Sequence, residues 1–585
     1  MNFLGHLIRP FMAMSVLAMA ACGGGGGGGN GSEAISSGMV RLSVSAQAIK
    51  TLAFQWDAVP EATHYRLLED IDGPEGPQGE SLLRELLAGQ SSHVQQEVFL
   101  PERVNARYRL QVCQGADCVS SAPVGIEQIN RGIGYFKASN TAAGDEFGEG
   151  LALSADGQML AVGAHLEDGL NEGIDSTPDR SAGDANVGAV YVFRRGETGW
   201  VQEAYIKPAH AQPGARFGYR VALSGKGNVL LVGAPGDSSD GSGLAADPQA
   251  SPPLTNSGAV HVFERDVNAQ WAQVTYIKAE APAAQAQFGK SVSLSYDGTL
   301  AAVGHPDGAD GGRVSLYRRL PDGWEFHQVV QGSNTEGGDT FGEVVQLDPE
   351  GETLVVGASG EDGSTDTAGA DNGSSESGAV YVFRRKAGND VLDEWNEVAY
   401  LKAPETRVNG DFGYAVALSN RAETIVIGEP GNGGSLSGGG RAHVFRQQGN
   451  VWISEAVYLT PPQPQANVFF GDKLALSADG MTLAIADPFE SSGGLGLGSV
   501  PSFDGQTFNS GTVYLYRRGL GGAWSAPTTI KAPNNSSEIY FGWSLALSAS
   551  GKSLAICASD HSRSTGIGGD MTDESARYTG AVTLY

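Results

Sequence analysis

The residues of this sequence best suited to chemistry are carboxylates, and they come in groups. Glu167, Asp168, Asp175, Asp179 and Asp184 fall in one stretch, and Glu361, Asp362, Asp366, Asp371 and Glu376 in another. Oxygen ligands at that density suit calcium, which takes six to eight of them. On that reading Asp168, Asp175, Asp184, Asp362, Asp366 and Asp371 are the metal ligands. The other reading is of solvated, Gly-rich surface turns. Acids at corresponding points along the chain, Glu167, Asp237, Asp240, Asp307, Glu361, Asp487 and Asp560, mark the loops of a candidate binding face. No cofactor other than calcium is implied.

Catalysis has no comparable signature. A glycosidase needs two carboxylates across one cleft, and sequence alone does not pair the acids present. There is no Gly-x-Ser-x-Gly elbow, His-Glu-x-x-His helix or phosphate loop. His165 and His305 each follow a predicted strand, where surface polar residues are expected. No catalytic residue is assigned, and the chain is expected to be non-enzymatic.

The cysteines divide by context. Arg9, the apolar stretch from Phe11 to Ala21 and Met19-Ala20-Ala21-Cys22 make an export signal ending as a bacterial lipobox does, with Met19 where Leu is commoner. Cys22 is then the lipidation site, and Gly23 to Gly29 form a flexible tether. An ordinary secretory signal is the alternative. Cys113 and Cys118 are close enough on a predicted hairpin for a small disulfide, which an exported compartment permits. Cys557, in the strand pattern Leu554-Ala555-Ile556-Cys557, reads as a buried structural thiol.

A net charge of −28 and a pI near 4.7 argue against nucleic acid, whose phosphates need clustered Lys and Arg. No later segment has the apolar length of a spanning helix, so membrane contact is expected through the lipid anchor alone. The expected location is a bacterial outer membrane or cell surface.

What positions the loop acids is a repeat. Phe-Gly recurs at 147, 217, 288, 341, 412, 470 and 541, at intervals of 70, 71, 53, 71, 58 and 71 residues. Sixteen residues after each Phe stands a small residue: Gly163, Gly233, Gly304, Gly357, Gly428, Ala486 and Cys557. Between them, runs such as Leu151-Ala152-Leu153-Ser154 and Met159-Leu160-Ala161-Val162 flank a turn, which makes a hairpin. Gly188-Ala189-Val190-Tyr191-Val192-Phe193 and its counterparts give a third strand. The segments after Trp200, Trp271, Trp324, Trp395, Trp452 and Trp524 give a fourth, and these tryptophans suit packing between units better than sugar stacking. Four strands per unit predict a seven-bladed β-propeller over 132–585. The last unit lacks its fourth strand, so the segment 134–139 is expected to pair with 580–585 and close the ring. Length varies between strands two and three, where gaps of 25, 25, 8, 21, 12, 25 and 23 residues put the diversity on one face.

Phe217-Gly218 followed by Gly233-Ala234-Pro235 resembles the FG-GAP repeat of integrin α-subunit propellers, and the resemblance extends over 134–585. Only the second unit has the full Gly-Ala-Pro. The resemblance implies protein ligands on the loop face and calcium in Asp-x-Asp-x-Asp-Gly hairpins between strands one and two. Here those turns read Ala155-Asp156-Gly157 or Gly225-Lys226-Gly227, with one acid at most, so that calcium site is not expected.

Residues 38–128 have a different rhythm. Leu52 to Pro60, Thr63 to Leu67 and Ala106 to Cys113 resemble strands of a small fibronectin type III sandwich. The whole is therefore expected to be all-β: signal and lipobox cysteine at 1–22, tether at 23–37, sandwich at 38–128, then a monomeric propeller. Its expected role is to bind an extracellular protein or glycan, with a hydrolase or lyase acting on extracellular polysaccharide as the alternative.

Overall fold

The computed structural model describes residues 40–178, 183–249, 251–364, 372–386, 394–431, 439–465, 468–502, 507–519 and 521–585. Cys22, the signal and the tether lie outside them, as do Asp179, Asp366 and Asp371. Among the described residues there are strands and three short 3-10 turns, and no α-helix.

The first seven strands are β1 (Leu42–Ala48), β2 (Thr51–Trp56), β3 (His64–Asp70), β4 (Ser81–Leu87), β5 (Ser92–Gln95), β6 (Arg107–Gln114) and β7 (Asp117–Ser120). They form two antiparallel sheets, β1-β2-β5 and β4-β3-β6-β7. The alternation of the strands fills the space between the sheets with Phe54, Trp56, Tyr65, Tyr108 and Leu110, all buried. Cys113 and Cys118 face each other across β6 and β7 and are joined as a disulfide.

The strand β8 (Gly134–Phe136) and the remaining chain form seven four-stranded antiparallel sheets, here I to VII. In I to VI the strands run in chain order, a to d, for example Phe147–Leu153, Met159–Ala164, Ala189–Gly196 and Gly199–Ile206 in sheet I. Sheet VII has only Leu545–Leu547, Leu554–Ala558 and Ala581–Leu584 of its own, and β8 is its fourth strand, with Phe136 opposite Val582 and Gly134 opposite Leu584. The pairing covers 134–136, shorter than the 134–139 expected. Lys137, just past the end of the strand, turns its amine to Thr579 Oγ1 and the Gly580 carbonyl. The a strands touch in succession from I to VII, and that of VII touches that of I, so the circuit is closed.

The motif glycines lie where neighbouring sheets meet backbone to backbone. A Cβ on Gly163 would stand 1.9 Å from the Gly218 carbonyl oxygen, and one on Gly188 would stand 2.0 Å from that of Phe217. The Phe-Gly of one sheet thus wedges into strands b and c of the sheet before it, and at Gly163 and Gly188 no larger residue fits. At the last two seams Ala486 and Cys557 take the glycine position, which makes the Cys557 thiol a packing group. It is buried against Gly148 of sheet I, and burial raises its pKa. The tryptophans of strand d pack across seams too: Trp200 meets Phe136 of sheet VII edge to face at 5.4 Å.

The sandwich is seated on the a–b turn side of sheets VI, VII and I. Lys50 donates to the Lys552 carbonyl and Ser553 Oγ, both at 2.5 Å, Glu97 pairs with Arg195, and Glu102 with Arg517. The two parts share one apolar core. The b–c loops and d–a connections emerge on the opposite side, and among the described residues the b–c loop of sheet VI reaches back to the sandwich, with Gly498 against Val104 and the Leu497 N–H 3.5 Å from Asn130 Oδ1.

Candidate ligand-binding mouth

The loop acids expected to face a ligand are instead largely internal. Near the end of strand d in five sheets a lysine turns inward: Lys137, Lys207, Lys278, Lys402 and Lys531, all buried. Lys207 Nζ lies 2.6 Å from Glu167 Oε2 and also donates to the Gly188 carbonyl. Lys278 meets Asp237 at 2.9 Å, and Lys531 meets Glu490 at 2.8 Å. Lys402 donates to Ser377 Oγ, while Glu361 accepts from Tyr381 and Asn334. Lys137 donates to Thr579 Oγ1 and the Gly580 carbonyl, and Asp560 accepts from Tyr135. Each cluster clamps the b–c loop to the outer strand. In sheet V, where no lysine is available, Glu429 pairs instead with His443 at 2.7 Å and Arg407 at 2.8 Å.

The expectation for Glu167, Asp237, Glu361 and Asp560 as exposed binding residues is corrected accordingly: buried charges need partners, and these have them. Asp487 is buried as well. Its Oδ1 accepts the Phe469 N–H, its Oδ2 has no hydrogen-bond partner, and burial followed by Glu490 and Asp472 pushes its carboxyl up to about 7. Asp240 and Asp307 are half-buried, Asp307 accepting from Gln287 and Lys290. His165 and His305, expected at the surface, are buried, and burial lowers both to about 4.

The candidate calcium ligands are dispersed. Asp168 accepts the Asn186 N–H, Asp175 the Tyr205 N–H, and Asp362 the Glu376 N–H, so each ties its loop to backbone 14 to 30 residues further on. Asp184 is exposed. Among the described residues no three carboxylates bring oxygens within 4.8 Å of one another. The one group that meets that spacing is His64 with the disulfide sulfurs, which are not thiolates.

Chemistry converges at another place. The residue after each Phe-Gly is Glu149, Tyr219, Lys290, Glu343, Tyr414, Asp472 or Trp543, each in or just before strand a; Glu149, Tyr219, Lys290, Glu343 and Tyr414 line the central depression, and Asp472 and Trp543 line a lobe that adjoins it. They ring one mouth on the b–c side. It opens into two lobes: one lined by Phe489, Tyr540, Trp543 and Tyr578, the other by Glu343, Asp411, Tyr414, Phe469 and Lys473. Phe489 and Trp543 line both, so the depression is continuous.

Its charges are arranged in pairs. Arg220 lies 2.5 Å from Glu149, and Trp543 Nε1 donates to the same carboxylate at 2.5 Å. Burial opposes the charge of Glu149, but Arg220 and then His165 hold its carboxyl below the usual range. Lys473 lies 2.6 Å from Asp472; burial opposes its charge too, and Asp472 and Tyr414 keep it raised. Aromatic faces with a few fixed polar groups in a concave site are what a ligand pocket requires.

Sequence reasoning passed over this ring. The signal was there: within the constant half of the repeat, the position after Phe-Gly alone alternates among acid, base and large ring.

The FG-GAP repeat model matches residues 200–263, 324–383 and 395–445. Those three segments carry FG-GAP repeats. Each matched segment begins on strand d of one sheet and ends on strand c of the next, so the unit of sequence straddles a seam. No curated protein matches the chain in sequence. Among solved structures, a candidate 6-phosphogluconolactonase from Bacteroides uniformis is 12% identical, covers 80% of this chain and 97% of its own, and has a TM-score of 0.40. The β-propeller domain of the Trilobed protease from Pyrococcus furiosus is 7% identical, with coverage of 72% and 90% and a TM-score of 0.35. Neither likeness, at such scores, bears on what this chain does.

Proposed function

We propose that this chain is an exported, lipid-anchored surface protein that binds an extracellular protein or glycan without turning it over, using the mouth of a seven-bladed FG-GAP propeller. The observation that carries the reading is the convergence of the seven post-Phe-Gly residues on one continuous depression, on the side away from the sandwich. Recognition residues on a rigid scaffold, open to solvent on one side, are the arrangement a binding protein needs. The strand orders β1-β2-β5 and β4-β3-β6-β7 support a fibronectin type III-like module, which would act as a spacer behind the propeller. Lipidation at Cys22 and the tether at 23–37 would hold the assembly at a membrane.

A second reading, a hydrolase or lyase acting on extracellular polysaccharide, draws on one observation. Asp411, in the mouth near Glu343 and Glu376, has its carboxyl pushed up to about 7 by burial and then by those two acids, and a raised carboxyl near others is what general acid catalysis uses.

One experiment separates the readings. Purified protein is screened against immobilised glycans and exported proteins, with calcium and with chelator, and soluble product is measured in the same wells. Retention without product, lost in Trp543→Ala, is the expected result. Product release abolished by Asp411→Asn would favour the hydrolase.

A further inference from the structure

Two carboxylates of the mouth are already answered from within the protein. Glu149 pairs with Arg220, whose guanidinium lies 4.8 Å from the centre of the Tyr219 ring. Asp472 pairs with Lys473, whose Nζ lies 5.1 Å from the centre of the Tyr414 ring. In both places carboxylate, cation and aromatic face form one group, an arrangement that strengthens as water is excluded.

Among the described residues, the third carboxylate of the ring has no ion-pair partner. Glu343 accepts from Ser359 Oγ at 2.5 Å and from Thr340 Oγ1 at 3.5 Å, and it shares its lobe with Asp411 and Glu376. The charges that act on Asp411 are Glu376, Glu343 and Glu429, all acidic, and together with burial they raise its carboxyl. The bases nearby are engaged: Arg407 and His443 on Glu429, Lys473 on Asp472. The lobe measures about 460 Å³, and its wall is built from Tyr414, Phe469, Phe489 and Trp543.

We propose that this lobe takes the protonated amine of an amino-sugar chain, with the ammonium against Glu343 and Asp411 and the sugar rings along Phe489, Trp543 and Tyr540. The proposal rests on reading the mouth as a binding site. A bare metal ion does not match the spacing, because among the described residues no three carboxylates come within common ligand reach. An ammonium borne on a carbon ring spans a wider gap and covers the aromatic wall as well. The C–H face of a pyranose packs on an aromatic face, and Phe489, Tyr540 and Trp543 stand with ring centres 5.4 to 6.0 Å apart from the acid lobe into its neighbour. A single basic side chain would fill only the acid lobe; a sugar chain uses both. The net charge of −28 draws a polycation to the surface.

The test is calorimetry on the full-length protein at pH 6, where the sugar amine is protonated, with three probes: a glucosamine hexamer, its fully N-acetylated counterpart and a hexa-arginine peptide. The glucosamine hexamer is expected to bind at least about tenfold more tightly than either of the others. Glu343→Gln and Asp411→Asn should each weaken it by about tenfold with the melting temperature unchanged. Repeating the titration in buffers of different ionisation enthalpy should show release of close to one proton, absent in Asp411→Asn, because the ammonium ionises that carboxyl. An N-acetylated hexamer bound as tightly overturns the amine assignment and leaves the binding reading intact. Cleavage of either hexamer overturns the binding reading instead. Preference for the peptide, or no binding by any probe, overturns the proposal.

Discussion

The clamps and the mouth are built from the same residue types and use them in opposite ways. In the clamp of sheet I, Lys207 and Glu167 are both fully buried, 2.6 Å apart, with hydrogen bonds to the loop they hold. In the mouth, Glu343, Tyr414 and Trp543 are half-buried and look onto open space. Desolvation decides the difference. A carboxylate taken wholly out of water must be matched inside the protein, while one at the rim keeps part of its hydration and remains available. Burial, more than the length or acidity of a loop, therefore decides which acids stay open to solvent.

The comparison can be broken at the ring itself. Deleting residues 132–140 removes β8 together with Lys137, so sheet VII loses its outer strand and its clamp at once. Loss of the cooperative transition for the whole propeller is the expected outcome in a thermal melt; a transition left in place would show that closure does not depend on β8.

A sharper test acts on one clamp. Lys207→Met leaves Glu167 buried without its cation and should lower the unfolding free energy by about 3–5 kcal/mol, measured by denaturant titration. Changing Glu167 to Gln in the same chain should restore much of the loss. If Lys207→Met shifts the midpoint no more than a surface substitution does, the clamp is not holding the loop.

The smallest effect expected has the opposite sign. Asp487 has its carboxyl at about 7 in the folded protein against an ordinary 3.8, so between those values the folded state binds more protons than the unfolded. Stability contributed by that proton is complete at low pH and lost as pH rises toward 7. Asp487→Asn, which puts an amide where the unpaired Oδ2 stands, should then stabilise the protein at pH 8 by on the order of 2 kcal/mol and leave it unchanged at pH 4. Equal effects at both pH values would assign the gain to packing instead.

Much of the architecture is legible in the sequence because it is repeated. Seven Phe-Gly pairs with a small residue sixteen positions on mark where backbones must touch, and the unmatched strand before Phe147 marks the closing segment. The site was less legible. Glu167 and Asp237 look like surface acids when only their glycine-rich neighbours are considered; their partners, Lys207 and Lys278, lie about forty positions later, at the ends of strands that otherwise read as apolar. Tyr276-Ile277-Lys278-Ala279 and Tyr400-Leu401-Lys402-Ala403 carry the clue, a lysine at a fixed place beside a core residue. The mouth was hidden for another reason. Glu149 and Trp543 are 394 residues apart and meet only because the ring closes.

The repeat unit's offset from the sheet has a consequence for how such a ring can change size. A matched segment such as 200–263 holds the outer strand of one sheet and the first three of the next, so it contains both sides of a seam. Copying or losing one such unit would insert or remove a joint already fitted to itself, while the two ends that complete the circle stay as they were. The sheets are the parts a folded molecule displays, but the joints are the parts its gene can duplicate.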